Sequence, residues 1–249
     1  LLERFRTNGT LSEPSGIPDP QYALLGTVNW MNALAFLVRH HGVSFANATT
    51  LYAPIQKRVT TIQEENTIFE QLLFAVHQVS ALDALRAAPK KTDVARVGIV
   101  AWYYGVYAAA SAMVAAQDGS FQDDHTGTAN AWDRQFAASG PVRVMPPFSL
   151  RVSSLVKSIY ESELAAMRTG ATFALTHAPS TELEAHGACC AYLSGTAAWS
   201  KWKAEESLRA TREFKMLNVT DFRSRAARDL RDLRLQGKAV SFLHQAFRY

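Results

Sequence analysis

The segment Val97–Ala116 carries no charged residue across 20 positions. A run of that length and character has few possible environments. It is long enough for a membrane span by residue count alone. Its composition argues against one, because Ala, Gly, Ser and Tyr dominate and the energy gained on transfer to hydrocarbon is modest. Gly98, Ala101, Gly105, Ala108 and Ala112 recur at steps of three and four. Those steps place them on one face of a helix, where small side chains let a second helix approach closely. Trp102, Tyr103, Val106, Tyr107 and Met113 supply bulk on the other faces. The pattern predicts the buried central helix of a helical bundle, with no membrane partner.

The flanking sequence extends this expectation. Over 58–88, Ile62, Phe69 and Val76 are seven apart, and Leu72, Leu73, Val79 and Leu82 fill the same broad face. This predicts a long amphipathic helix with that face buried. Thr92 or Asp93 is expected to cap the next helix, and Asp118-Gly119 to end it. Further helices are expected over 21–41, with Gly42 as its stop, and over 127–138, 150–168 and 181–214. The last two are expected at "VTDFRSRAARDLRDLRLQ" and "KAVSFLHQAFRY". In the former, Phe222, Ala226, Leu230 and Leu233 are expected to be buried, and Thr220 or Asp221 to cap. No alternating strand pattern of useful length is present. The expected fold is therefore all-α, a multi-helix bundle around an Ala/Gly-rich central helix. Residues 1–20 read as an arm, 21–140 as the bundle and 150–249 as a helical extension, with one continuous domain as the alternative.

Charge is unevenly spread. Residues 1–200 carry 14 Lys and Arg against 16 Asp and Glu, whereas 201–249 carry 12 against 6. A basic end on a near-neutral body fits an anionic partner such as RNA, or well-solvated helices. Cys189 and Cys190 are adjacent, and the chain has no other cysteine. Two neighbouring thiols make no disulfide framework, and no apolar leader opens the chain, so a cytoplasmic setting is expected.

No Walker loop, GxGxxG, HExxH or GxSxG occurs, which weakens the nucleotide-hydrolase and metalloprotease readings. The most polar patch beside the central helix is "QDDHT". There, Asp123, Asp124 and His125 are candidates for an acid–base pair, since a carboxylate beside an imidazole tunes it for proton transfer near neutral pH, or for metal ligands. The alternative is a loop and helix cap. "HGACC" offers His186, Cys189 and Cys190, but a closed zinc site needs two more ligands, so no metal and no cofactor is expected. Arg223, Arg225, Arg228, Arg231 and Arg234 lie in one predicted helix and are candidates for phosphate binding. Arg225–Asp229 and Arg228–Asp232 at i,i+4 would neutralise part of that charge.

The stretch "YYGVYAAASAMVAAQDGSFQDDHTG" resembles the central helix and following loop of HEPN domains. In that family an aromatic pair opens an Ala-rich helix, and a His stands just before the next one. The resemblance covers roughly residues 60–140. It implies a helical bundle associated with nucleic acid, of a prokaryotic defence or toxin–antitoxin type. It further implies a homodimer or larger complex, and possible ribonuclease chemistry with His125 as acid or base and Asp124 orienting it. The family's arginine would fall within 118–121, where no residue is basic; the nearest preceding one is Arg96. Phosphate neutralisation would then fall to Arg96 or to the 223–234 arginines. The reading from another class is a non-catalytic helical scaffold or regulatory subunit that binds a protein partner.

Overall fold

A computed structural model describes residues 24–42, 44–137, 142, 144, 148–156, 158–159, 162–163 and 179–243. Among these the chain forms eight α-helices and two strands of two residues each, Arg151–Val152 and Val240–Ser241. The all-α bundle expected from the sequence is the fold, but its Ala/Gly-rich helix is buried only in part: Val97, Ile99, Val100, Trp102 and Tyr104 are exposed. The helices are α1 (Leu24–His40), α2 (Phe45–Tyr52), α3 (Ile62–Arg86), α4 (Lys91–Asp118), α5 (His125–Trp132), α6 (Glu182–Arg209), α7 (Val219–Phe222) and α8 (Arg225–Leu235). The chain divides into two compact units, Leu1–Leu51 with Leu150–Val240, and Tyr52–Ser149 with Ser241–Tyr249. This differs from a division into 21–140 and 150–249, because α1 packs with α6. The expected arm at 1–20 lies outside the described residues.

In the first unit, α1 and α6 join through large apolar groups. Trp30, Ala33 and Leu37 of α1 are buried, as are Ala185, Cys189, Tyr192 and Leu193 of α6. Trp30 stacks on Tyr192 with ring centroids 4.8 Å apart. A capping box opens α6: the Thr181 hydroxyl accepts from the Glu184 N–H, and the Glu184 carboxylate accepts from the Thr181 N–H. This satisfies two of the N–H groups that a helix start leaves unpaired. Gly42, at φ +57°, ends the turn after α1 in the left-handed region that favours glycine.

In the second unit, α3 and α4 form a long helical hairpin. Thr61 and Glu64 make a second capping box at the start of α3. Gly119, at φ +80°, closes α4 and donates its N–H to the Ala115 carbonyl. Neither Thr92 nor Asp93 caps α4; the helix begins at Lys91 with Lys90 as N-cap and no side-chain cap bond. The small stripe of α4 does what its composition predicts. Gly98 faces Leu82 and Leu85, and a Cβ on Gly105 would come within 3.2 Å of the Gln78 Cβ.

Several expectations are overturned. Of the apolar face predicted to bury α3, only Leu82 lies on the seam that meets α4. Ile68, Gln71, Ala75, Gln78, Leu82 and Leu85 make up the less exposed, heptad-spaced seam, and only Ala75 is fully buried. Ile62, Phe69, Leu72, Leu73, Val76 and Val79 are all exposed. The small α4 stripe admits a close partner, and the α3 seam that meets it mixes Ala75, the polar Gln71 and Gln78, and the aliphatic Ile68, Leu82 and Leu85. The helix expected from Leu150 does not start there, since Arg151–Val152 is extended; most of 157–168 lies outside the described residues. The last predicted helix opens instead with the strand Val240–Ser241, and 244–249 lie outside. Around α8, Phe222 and Leu235 are buried, whereas Leu230 and Leu233 are exposed. Ser224, not Thr220 or Asp221, caps α8 by accepting from the Ala227 N–H.

Candidate functional site

His125 is the first residue of α5, and Asp124 is its N-cap. The Asp124 carboxylate accepts from the Gly127 N–H at 2.7 Å. The carboxylate is thereby committed to holding the helix start, as Asx chemistry at this position favours. His125 instead packs into three tyrosines of α4. Its ring centroid lies 4.8 Å from Tyr103, 6.3 Å from Tyr104 and 4.2 Å from Tyr107, all edge-on. Edge-to-face contacts of this kind are favourable for aromatic rings. Tyr107 donates its hydroxyl to the Gln122 carbonyl at 3.0 Å, fixing the loop just before His125. Burial of Tyr103, then the neighbouring Tyr104 and Tyr107, raises its phenol above the ordinary value.

Arg223, Arg225, Arg228, Arg231 and Arg234 belong to the first compact unit, whereas Arg96 shares the second with His125. Arg96 is exposed on α4, seven residues before Tyr103, about 10 Å along the helix axis. Arg231 is turned inward. Its guanidinium donates to the Phe222 carbonyl at 2.7 Å, lies 5.6 Å from the Phe222 ring centroid and sits 3.8 Å from Glu205. That arginine joins α7 and α8 to α6. Arg234 pairs with Glu213 at 2.7 Å. Arg223, Arg225 and Arg228 are exposed. Trp199 and Trp202 contact each other on α6, their centroids 4.8 Å apart.

Sequence reasoning overlooked Arg58. It donates to the Ala115 and Ala116 carbonyls at 3.0 and 3.2 Å and to Glu64 at 3.0 Å. A cation at these carbonyls satisfies the open end of α4 and its dipole. The same arrangement explains Gly119, where any Cβ would run into the Glu64 carboxylate. The Arg58–Glu64 spacing was a visible signal; its target, 57 residues on, was not.

Sequence reasoning also overlooked a second histidine cluster. His40 at the end of α1 places Nε2 3.1 Å from one Glu182 oxygen, and His41 places Nε2 3.3 Å from the other. His186 follows Glu182 by one turn of α6. Burial, opposed by Glu182 and reinforced by His41, holds its imidazole below the ordinary pKa. Cys189 is fully buried, and burial pushes its thiol well up. It is a packed hydrophobe rather than a ligand shared with His186.

The described residues include one helix, Thr92–Asp118, long and apolar enough to cross a membrane by length and composition alone. Comparison with known proteins gives no match to a family model, a curated protein or a solved structure.

Proposed function

We propose that this protein is a non-catalytic helical scaffold that docks a second copy of itself along the bare flank of α3. The observation that carries this reading is that α3 holds two heptad seams. One is filled by α4. The other, Ile62, Phe69, Leu72, Val76 and Val79, has the apolar content of a coiled-coil interface yet faces solvent. Contiguous exposed apolar patches on a soluble protein mark interaction surfaces. Charge supports the occupant. The first turn of α3 is acidic, with Glu64 and Glu65, and its last turn carries Arg86, followed by Lys90 and Lys91. An antiparallel copy sets Leu72 against Val76 of its mate and brings the acidic first turn of each α3 near the end of the other, where Arg86 pairs with Asp83 and Lys90 and Lys91 follow. The helix dipoles also oppose favourably in that orientation.

Light scattering on the purified chain tests this. Dimer is expected, and Leu72→Glu with Val76→Glu is expected to give a folded monomer. Glu65→Lys should weaken the dimer, and adding Arg86→Glu should restore it. A wild-type monomer at about 100 µM, where even a micromolar dimer would form, defeats the reading.

Exposed Arg223, Arg225 and Arg228 favour a second reading, a HEPN-like chain that binds RNA at its basic end and uses His125 for cleavage. Incubation with end-labelled RNA tests it beside His125→Ala and a variant neutralised at the three arginines. Cleavage lost with His125→Ala supports catalysis. Binding lost only with the arginine variant supports association alone. Neither effect, with or without divalent metal, removes the reading.

A further inference from the structure

The cluster at the junction of α1 and α6 is unlike an ordinary surface ion pair. Two imidazoles converge on a single carboxylate, each by Nε2 and each on a different oxygen. One ligand atom from each of His40, His41 and Glu182 lies within 4.8 Å of the others. In a tetrahedral zinc site with ligand bonds of 2.0–2.1 Å, donor atoms stand roughly 3.3 Å apart. The two histidine–carboxylate separations, 3.1 and 3.3 Å and each to a different oxygen, are of that length.

The elements that carry these groups are firmly held. Trp30 and Leu37 anchor α1 on α6, and the Thr181 capping box fixes the turn from which Glu182 projects. Glu182 takes no part in that capping, and its two oxygens face the two imidazoles. His40 is further steadied by stacking on Phe36, with centroids 5.6 Å apart. His41 lies edge-on to His40 at 5.2 Å.

We propose that His40, His41 and Glu182 form a binding site for a first-row divalent cation, Zn2+ foremost. Two imidazoles and a carboxylate suit zinc and its neighbours in the series rather than calcium or magnesium, which take oxygen ligands. The three protein ligands leave a fourth position to water, and His186 stands one turn along α6 on the same side. Bound metal joins the end of α1 to the start of α6 and so stabilises their unit.

The test uses tag-free, metal-stripped full chain. Zn2+ titrated calorimetrically is expected to bind with one equivalent per chain, and to raise the melting temperature. Co2+ is expected to give the intense visible absorption of a four-coordinate site. His41→Ala and Glu182→Gln are each expected to weaken Zn2+ at least tenfold, and the double variant to abolish the Co2+ band. His77→Ala, on the exposed surface of α3, is the control and should leave both unchanged. Because the variants remove ligands but neither the Thr181 cap nor the Trp30 core, circular dichroism should show them folded. No Zn2+ uptake at millimolar metal would overturn the site and leave the cluster a helix-to-helix latch only. Uptake that survives in the double variant would overturn it equally, by placing the metal elsewhere.

Discussion

The two long helix pairs of this protein are built on opposite plans. Between α1 and α6 the contact is made by large groups, with Trp30 and Leu37 buried against Tyr192 and Leu193. Between α3 and α4 its middle is made by small and polar ones, with Ala75, Gln78 and Gly105 at the seam, and Leu82 and Leu85 meet only Gly98 towards the hairpin end. The first pair buries its largest groups within its own unit and leaves only Met31, Val38 and Leu183 exposed among its described large apolar residues. The second brings two backbones close and leaves bulky residues outside; Phe69 is 59% exposed and Leu73 67% exposed. Close approach of a small-residue seam rests on van der Waals contact over its length. The hydrophobic energy of the large side chains is left for another surface. That is why the scaffold reading falls on α3 and the metal site falls beside α1.

The strongest way to break this contrast is to truncate one large residue in each pair. Trp30→Ala is expected to cost about 3–5 kcal/mol, the usual range for removing a buried aromatic. Leu73→Ala is expected to change stability by less than about 0.5 kcal/mol in a sample dilute enough to be monomeric. Chemical denaturation of both variants reads the difference. Equal losses would mean that the α3 flank is covered in the folded chain, and the contrast would collapse.

The α3–α4 seam can be probed from the glycine side. Gly105→Leu places a branched side chain where a Cβ alone already approaches Gln78 to 3.2 Å. Overpacking of this kind is expected to cost about 1–3 kcal/mol. Gly98→Ala meets only side-chain atoms at 3.9 Å. It is expected to stabilise by about 0.5–1 kcal/mol through helix propensity. Opposite signs in thermal melts would show that the seam is tight at its middle and looser towards the hairpin end.

These features were unequally legible in the sequence. The small stripe of α4, its stop at Gly119 and the opening of α6 at Thr181 follow from local rules and are found in the fold. The burial of α3 was misread because periodicity reports that an apolar face exists, not which neighbour covers it. Arg231 looked like one of five equivalent arginines; its turn towards Phe222 depends on where α7 ends, which spacing does not encode. The pairing of His40 and His41 with Glu182 joins residues about 140 positions apart. The Glu182-to-His186 spacing was visible, but its partners depended on α1 packing against α6.

A smaller effect is expected at the start of α5. Asp124→Ala removes the carboxylate that accepts from the Gly127 N–H and should cost about 1 kcal/mol, typical for a lost N-cap. Asp124→Asn retains an acceptor and should cost less. In contrast to catalysis, capping predicts this order in stability whatever the substrate, so equilibrium denaturation of the two variants separates the roles. Equal stability of all three chains would release the Asp124 carboxylate from its structural duty and strengthen its claim as a partner of His125.

The smallest expected effect lies at Glu64, where the α3–α4 hairpin is tied at its end. The Thr61 N–H, and then the Arg58 side chain, hold the Glu64 carboxyl below its ordinary value of 4.5. A carboxyl depressed in the folded state binds fewer protons there than in the unfolded chain. Its contribution is therefore fully present above the unfolded value and is lost as pH falls through the lower, folded one. Stability of the wild type should thus decline below about pH 4.5 more steeply than that of Glu64→Gln, which lacks the titrating group. Arg58→Ala should flatten the same part of the profile, since it removes the second cause of the shift. Both differences should vanish near neutral pH in slope, though not in height, because Arg58 also holds the Ala115 and Ala116 carbonyls there. Parallel acid slopes in all three chains would mean that the tie at Gly119 is made by glycine geometry and backbone bonds alone. The hairpin would then owe its end, like its seam, to small residues rather than to charge.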